Sequence, residues 1–415
     1  MDSISTEIRI KGPTPGGTLL NYRDLLSCFP TAPTSLPNLL SLDWDSDDAD
    51  LPFIVSFISR SLTSINIEVS ASASLILPSI LTRLPTLAPD ISEIVVRQPK
   101  YEPSLEEASS LLLMQCNPNR LRTYNVDAPL SASAFSQVIQ LPLLENLWLV
   151  EPFHFPDPLP DVVFPNLQRL NVEFTRDLAL LKILPKCPDL SEIEITCPGP
   201  DVTQAMEIFH STITGCGLHE RLQELSFCSH DEFKVTPQMI TFNSSLKNLT
   251  DFELSSYSTD STSCQTLNLT DADISLLTNA MPNLQNLVIG EEPCRVPSKI
   301  TFNSLYTISS RCTGLRTLRI HFNPDSFITK VNADFKSGNG DFDIPSSELC
   351  LVTKINVGRI GLPTNSNASY IVALGLLKVF LCLEEVVYCG HDFDWVEVNR
   401  LIGFYRDIRT AFVRK

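Results

Sequence analysis

A chain of 415 residues with 43% hydrophobic and 19% charged residues carries enough apolar matter for a continuous core, which argues against wholesale disorder. Its formal net charge of -17 argues against a nucleic-acid backbone or an anionic membrane as the main partner and favours a basic or neutral protein surface. The opening "MDSISTEIRIKGPTPGG" lacks the basic-then-apolar build of a signal peptide, so residues 1–24 are expected to be a loop or linker of a cytoplasmic or nuclear protein.

From Leu39 onward one short phrase recurs, Leu-x-x-Leu-x-Leu, with Ile, Val or an aromatic allowed at each apolar position. In chain order the first copies are Leu39/Leu42/Trp44, Leu62/Ile65/Ile67, Ile91/Ile94/Val96 and Leu121/Tyr124/Val126. Leu144/Leu147/Leu149, Leu167/Leu170/Val172 and Leu190/Ile193/Ile195 then follow, each 23 residues after the last. Leu222/Leu225/Phe227, Leu249/Phe252/Leu254, Leu284/Leu287/Ile289 and Leu315/Leu318/Ile320 continue the series, which ends in Val352/Ile355/Val357 and Leu383/Val386/Tyr388. The phrase is too short for an amphipathic helix and reads as a strand. Intervals run from 23 to 37 residues and lengthen toward the C-terminus. The usual Asn or Cys beyond the last apolar position is mostly absent, which predicts no tidy asparagine ladder there.

Between strands the chain writes helix-like segments: "LEEASSLLLMQC", "SASAFSQVIQ", "TQAMEIFHSTI", "DADISLLTNAM" and "FNSLYTISSRC". Ser, Thr or Asp tends to precede them, and a breaker such as Pro142, Pro188 or Pro282 often follows. One unit is therefore helix, turn, strand, and it buries its apolar face only by stacking on its neighbours. The expected fold class is α/β, a leucine-rich-repeat solenoid of ribonuclease-inhibitor-like form, with parallel strands on the concave face and helices on the convex face. It spans residues 25–392 as a single repeat domain, with "LSSYSTDSTSCQTLNLTD" and "NPDSFITKVNADFKSGNGDFDIPSSE" as polar loop insertions. "YIVALGLLKVFLCLEEVV" carries Lys378, Glu384 and Glu385 and reads as a buried helix entering a strand, not a membrane span. The tail 393–415 has helical periodicity and is expected to cap the last repeat. Twelve cysteines without a C-x-x-C pair, many beside the repeat pattern as at Cys187, Cys312 and Cys382, fit reduced thiols serving as small hydrophobes.

Several phrases, "LPNLLSLDWDSDDADLPFIVSFISRSLTSINI", "MPNLQNLVIGEEPC", "ITFNSLYTISSRCTGLRTLRIHFN" and "VALGLLKVFLCLEEVVYCGHDFDWVEV", resemble the fungal, basidiomycete-type F-box/leucine-rich-repeat proteins. The resemblance runs from about Leu25 onward and implies a substrate-binding repeat region in an SCF ubiquitin-ligase receptor. Members of that family bind Skp1 and a cullin through an N-terminal F-box. Upstream of Leu36 no Leu-Pro-x-Glu phrase of that box is written, so the Skp1 and cullin contacts are implied only for a box lying upstream, and a stand-alone repeat scaffold is the alternative.

No Gly-rich phosphate loop, G-x-S-x-G elbow or His-Glu-x-x-His motif is present. "CSHDEF" and "CGHDFDW" lack ligand-spaced partners and read as solvated loops. The chain is thus expected to be non-enzymatic, with no metal and no cofactor. Strand alternation puts the leucine positions inward and the residues between them on the concave face. The partner-binding candidates are Trp148, Asn171, Glu173, Glu192, Glu194, Glu224 and Glu253, with Arg319, His321 and Lys354 as a basic end. They are expected to take a protein substrate, and neither nucleic acid nor membrane.

Overall fold

The computed structural model describes residues 6–11, 36, 38–46, 51–69, 76–98, 103–151, 163–173, 183–197, 202–229, 234–242, 246–256, 266–267, 269–290, 298–336, 350–357, 362, 367–388 and 393–413. Each copy of the apolar phrase is a short strand, and every pairing between neighbouring copies within a unit is parallel. The first, fourth and sixth residues of all thirteen copies are buried, save half-buried Tyr388. The chain divides into two compact units, Met1–Leu190 and Ser191–Lys415, where the sequence predicts one repeat domain. Repeats touch mainly their nearest neighbours, so an array of them has few long-range contacts to hold it as one body.

In the first unit the strands follow one another in space as in sequence: β1 (Thr6–Lys11), β2 (Leu39–Ser46), β3 (Ser64–Val69), β4 (Glu93–Arg97), β5 (Thr123–Pro129), β6 (Asn146–Val150) and β7 (Arg169–Glu173). Strand β1 corrects the expected N-terminal loop. Ile8 and Ile10 alternate in "TEIRIK" and stand in register with Leu42 and Trp44, a two-residue signal that the following "KGPTPGG" obscures. Helices α1 (Ile76–Leu87), α2 (Pro103–Gln115) and α3 (Ala132–Val138) pack side by side in sequence order. The serine rule holds at α3, where the Ser131 hydroxyl accepts from the Ala134 N–H. Tyr124 fills a leucine position because its hydroxyl is paired with Ser109 in the core.

The second unit orders β8 (Glu192–Thr196), β9 (Glu224–Ser229), β11 (Asp251–Ser256), β13 (Asn286–Ile289), β14 (Thr317–Ile320), β15 (Lys354–Asn356) and β16 (Glu385–Val387) in one sheet. Short β10 (Lys234–Val235) and β12 (Thr266–Leu267) make a separate ladder. Its helices are α4 (Val202–Cys216), α5 (Pro237–Phe242), α6 (Asp271–Ala280), α7 (Phe302–Arg311), α8 (Asp325–Lys336), α9 (Ala368–Val379) and α10 (Phe393–Val413). Helix α8 lies inside one expected polar insertion. Its Ile328 and Val331 are buried and Phe327 stacks on Phe302 of α7 at 4.1 Å, so apolar spacing outweighs the polar composition of that loop.

Two devices bind neighbouring repeats within each unit. The carbonyl just before a strand accepts two successive N–H groups of the following repeat: Ser92 from Arg122 and Thr123, Arg122 from Glu145 and Asn146, and Gln223 from Thr250 and Asp251. An asparagine just before the first leucine donates to a carbonyl one repeat earlier: Asn166 to Pro142, Asn248 to Glu220 at 2.6 Å and Asn283 to Lys247 at 3.1 Å. Asparagines thus link repeats at these three places, one position before the first leucine and not beyond the last apolar residue. Helix ends are also tied across repeats, since the Asp271 carboxylate in the first turn of α6 accepts from the Thr301 N–H at 2.7 Å, the N-cap of α7.

Gly375 in α9 is there for space. A Cβ at that position would stand 2.6 Å from the Phe327 ring and 2.8 Å from the Phe302 ring. Gly375→Ala gains about 1 kcal/mol of helix propensity but forces two stacked rings apart, which costs about 1–3 kcal/mol. The expected outcome is a lower melting temperature, read by thermal denaturation, where an exposed helical glycine would give a higher one.

The chain's last described helix does close the last strand. Trp395, Val398 and Ile402 of α10 are buried, and the helix lies against α9 and β16. In a parallel strand alternate residues point their backbone groups to opposite sides. Glu385 and Val387 bond toward β15, which leaves the N–H and C=O of Val386 facing outward. Asn399 takes both: its Oδ1 accepts from the Val386 N–H at 2.8 Å and its Nδ2 donates to the Val386 carbonyl at 2.7 Å. One side-chain amide thus does at the edge what another strand would do.

Candidate functional site

Parallel register without stagger turns the non-core face of each sheet into rows of side chains, one residue per strand. In the first unit one row reads Asp43, Asn66, Val95, Asn125, Trp148, Asn171, and the row before it Ser41, Ser64, Glu93, Thr123, Asn146, Arg169. Neighbours in a row bond to one another: Asn66 Nδ2 donates to Asp43 Oδ1 at 2.8 Å, and Asn146 Nδ2 to Thr123 Oγ1 at 3.1 Å. Trp148, Asn171 and Glu173 are half-buried on this face.

Asp127 departs from the row. It falls in an irregularity of β5, where Asn125 pairs with Trp148 but Pro129, not Asp127, pairs with Val150. The Gln98 N–H donates to its Oδ2 at 3.0 Å. Burial pushes its carboxyl up to about 6, against the lowering effect of that hydrogen bond; Glu173 and Glu68 add to the rise and Arg97 opposes it. A carboxyl raised in the folded state contributes stability that is present below its unfolded value near 3.8 and lost as pH climbs through about 6. Asp127→Asn is therefore expected to melt above the wild type at pH 7, with the difference shrinking to nothing near pH 4; thermal melts across that range check it.

In the second unit one row reads Glu192, Glu224, Asp251, Asn286, Thr317, Lys354, Glu385, and the next Glu194, Ser226, Glu253, Val288, Arg319, Asn356, Val387. Adjacent positions on β8, β9 and β11 thus bring Glu192, Glu194, Glu224, Asp251 and Glu253 together, each half-buried. Asp251 accepts from Asn286 Nδ2 and, at 2.7 Å, from the Thr250 hydroxyl. At the other end Lys354 is exposed and paired with Glu385 at 3.2 Å, and Arg319 is half-buried.

His321 does not stand with them as an exposed base. It is 4% exposed, and burial lowers its pKa to about 4, so it is neutral at pH 7. Strand alternation gave it the same face as Arg319, but β14 ends at Ile320 and the residue lies beyond the strand's regular path.

Of "CSHDEF", Cys228 and Ser229 lie within the described residues, both buried, with Cys228 3.2 Å from the Ser255 hydroxyl; His230, Asp231 and Glu232 lie outside them. Of "CGHDFDW", Cys389, His391 and Asp392 lie outside as well. Among the described residues no group of three or more His, Cys, Asp or Glu is placed to hold a metal ion, and no helix is long and apolar enough to cross a membrane. Cys116, Cys187, Cys197, Cys228, Cys312 and Cys350 are buried and in no disulfide, and burial pushes Cys116 and Cys312 up to about 12. Cys382, expected among the buried cysteines, is exposed. Neither a protein-family model nor a curated protein matches this chain.

Proposed function

We propose that this chain is a non-catalytic protein-recognition module, the substrate-binding region of an F-box type receptor in an SCF ubiquitin ligase. In this reading the repeats form a leucine-rich-repeat solenoid and grasp a protein by the concave face that the strands line. The observation that carries it is the pair of register-locked rows on β8, β9 and β11, which gather five carboxylates on neighbouring positions of one face. Like charges directly across a parallel ladder cost stability, and a basic partner surface offsets that cost by complementarity. The ubiquitin link comes from the resemblance of the repeat phrases to the F-box family.

Affinity purification with a tag at the C-terminus of the native protein tests both parts. Co-purified Skp1 and cullin, with further stoichiometric proteins as substrates, are the expected result. A stoichiometric partner without Skp1 or cullin would leave a stand-alone scaffold, and loss of no partner on charge reversal of Glu192, Glu224 and Glu253 would move recognition away from this face.

A further inference from the structure

Buried polar atoms in folded proteins are nearly all hydrogen-bonded, so a group of unpaired ones calls for an explanation. Four such atoms belong to residues on or just after the adjacent strands β4–β6 in the first unit: Gln98 Oε1 and Nε2, Asp127 Oδ1 and Trp148 Nε1. Their residues are neighbours. Gln98 donates its backbone N–H to Asp127, and Asp127 follows Asn125, whose register partner on β6 is Trp148. The three residues are half-buried on the sheet face, while these four atoms are themselves shielded from solvent beneath their exposed parts. The irregularity in β5 is centred on Asp127, and such breaks re-aim side chains beside functional sites.

We propose that these three residues form a subsite for one cationic side chain, arginine or lysine, borne by a polypeptide partner. The charge around it selects the sign. Glu68 on β3 and Glu173 on β7 act electrostatically on Asp127, with Arg97 as the opposing charge, which leaves the neighbourhood two charges negative. Asp127 Oδ1 and Gln98 Oε1 are acceptors for the N–H groups of a guanidinium or ammonium. Trp148 adds an aromatic ring, the kind of surface that stabilises a guanidinium or ammonium. The two donors, Trp148 Nε1 and Gln98 Nε2, need an acceptor, and a free amine or metal ion brings none. A main-chain carbonyl next to the cationic residue supplies it, so the occupant is part of a peptide. Trp148 then acts as an anchor for recognition and Asp127 as the counter-ion.

This inference rests on the reading of the sheet face as a protein-recognition surface, and its test is kept separate from that reading. The indole N–H resonance of Trp148, assigned by Trp148→Phe, is followed by NMR during titration with Nα-acetyl-arginine amide. Nα-acetyl-citrulline amide, the neutral near-isostere, is the control. The expected result is a saturating shift with the arginine probe, little with citrulline, and affinity for arginine about tenfold weaker or worse in Asp127→Asn. A resonance that ignores both probes, or answers both equally, or keeps its affinity in a folded Asp127→Asn protein, overturns the subsite and leaves its polar atoms to water. Co-purification of the same partners with wild type and Asp127→Asn would overturn the subsite while leaving the recognition function standing.

Discussion

Leu170→Asp is expected to unfold the first unit at temperatures where the wild type is native. Leu170 is fully buried at the centre of β7, in register with Leu147 on β6. The substitution forfeits about 2–3 kcal/mol of burial and leaves an unpaired carboxylate among apolar side chains, at a cost of several kcal/mol more. A small domain has about 5–15 kcal/mol to lose, so the change removes most of it. Because each repeat covers its neighbours' apolar faces, the damage spreads along the sheet. Circular dichroism melts and limited proteolysis measure it. Arg169→Gln, one residue away on the exposed side, is expected to shift stability by no more than about 0.5 kcal/mol. Equal melting of the two variants would mean that the strand faces are misassigned.

Asn399→Asp carries the second large effect, although the new side chain has the same shape. The amide satisfies an N–H and a C=O of Val386 at once, through opposite ends. A carboxylate still accepts from the N–H but turns a second acceptor onto the carbonyl, where a donor had been. The loss is about 2–4 kcal/mol, from one missing hydrogen bond and one unsatisfied, repelled carbonyl. Acid separates this cause from simple misfit. Once the new carboxyl is protonated it regains a donor, so the defect shrinks as pH falls below about 4. Asn399→Leu, with neither donor nor acceptor, keeps its defect at every pH. A pH-independent deficit in the aspartate variant would show that the edge of β16 is held by packing alone.

The strands were legible in the sequence because their signal is a repeated one: three apolar residues at fixed offsets, each buried by the same geometry in every copy. Single-instance features were not. β1 has only Ile8 and Ile10 to mark it, and α8 hides its apolar spacing in a polar stretch. The inter-repeat asparagines at Asn166, Asn248 and Asn283 stand one residue before a leucine, and their shared "N-L" is a sequence signal outside the six-residue phrase itself. Asn399 carries no local signal, since its partner is 13 residues away and is defined only by where the sheet stops. The face residues followed from alternation alone, and alternation fails where the strand does, as at His321 beyond β14. Asp127 and Gln98 were not among the candidates, because their unpaired atoms arise from an irregularity that no spacing rule describes.

The unstaggered register has one more result, which concerns how such a surface changes. Within each unit, the face is a grid with a pitch of about 4.8 Å from strand to strand and about 6.6 Å along each strand. Its coordinates are fixed by the buried residues and by carbonyls that precede the strands, none of which belongs to the grid itself. Side chains at the grid points are therefore exchangeable one at a time, as letters are in a fixed line of type. A new pattern of charge is written without moving the backbone that carries it, so binding preference in such a chain drifts far more readily than its fold.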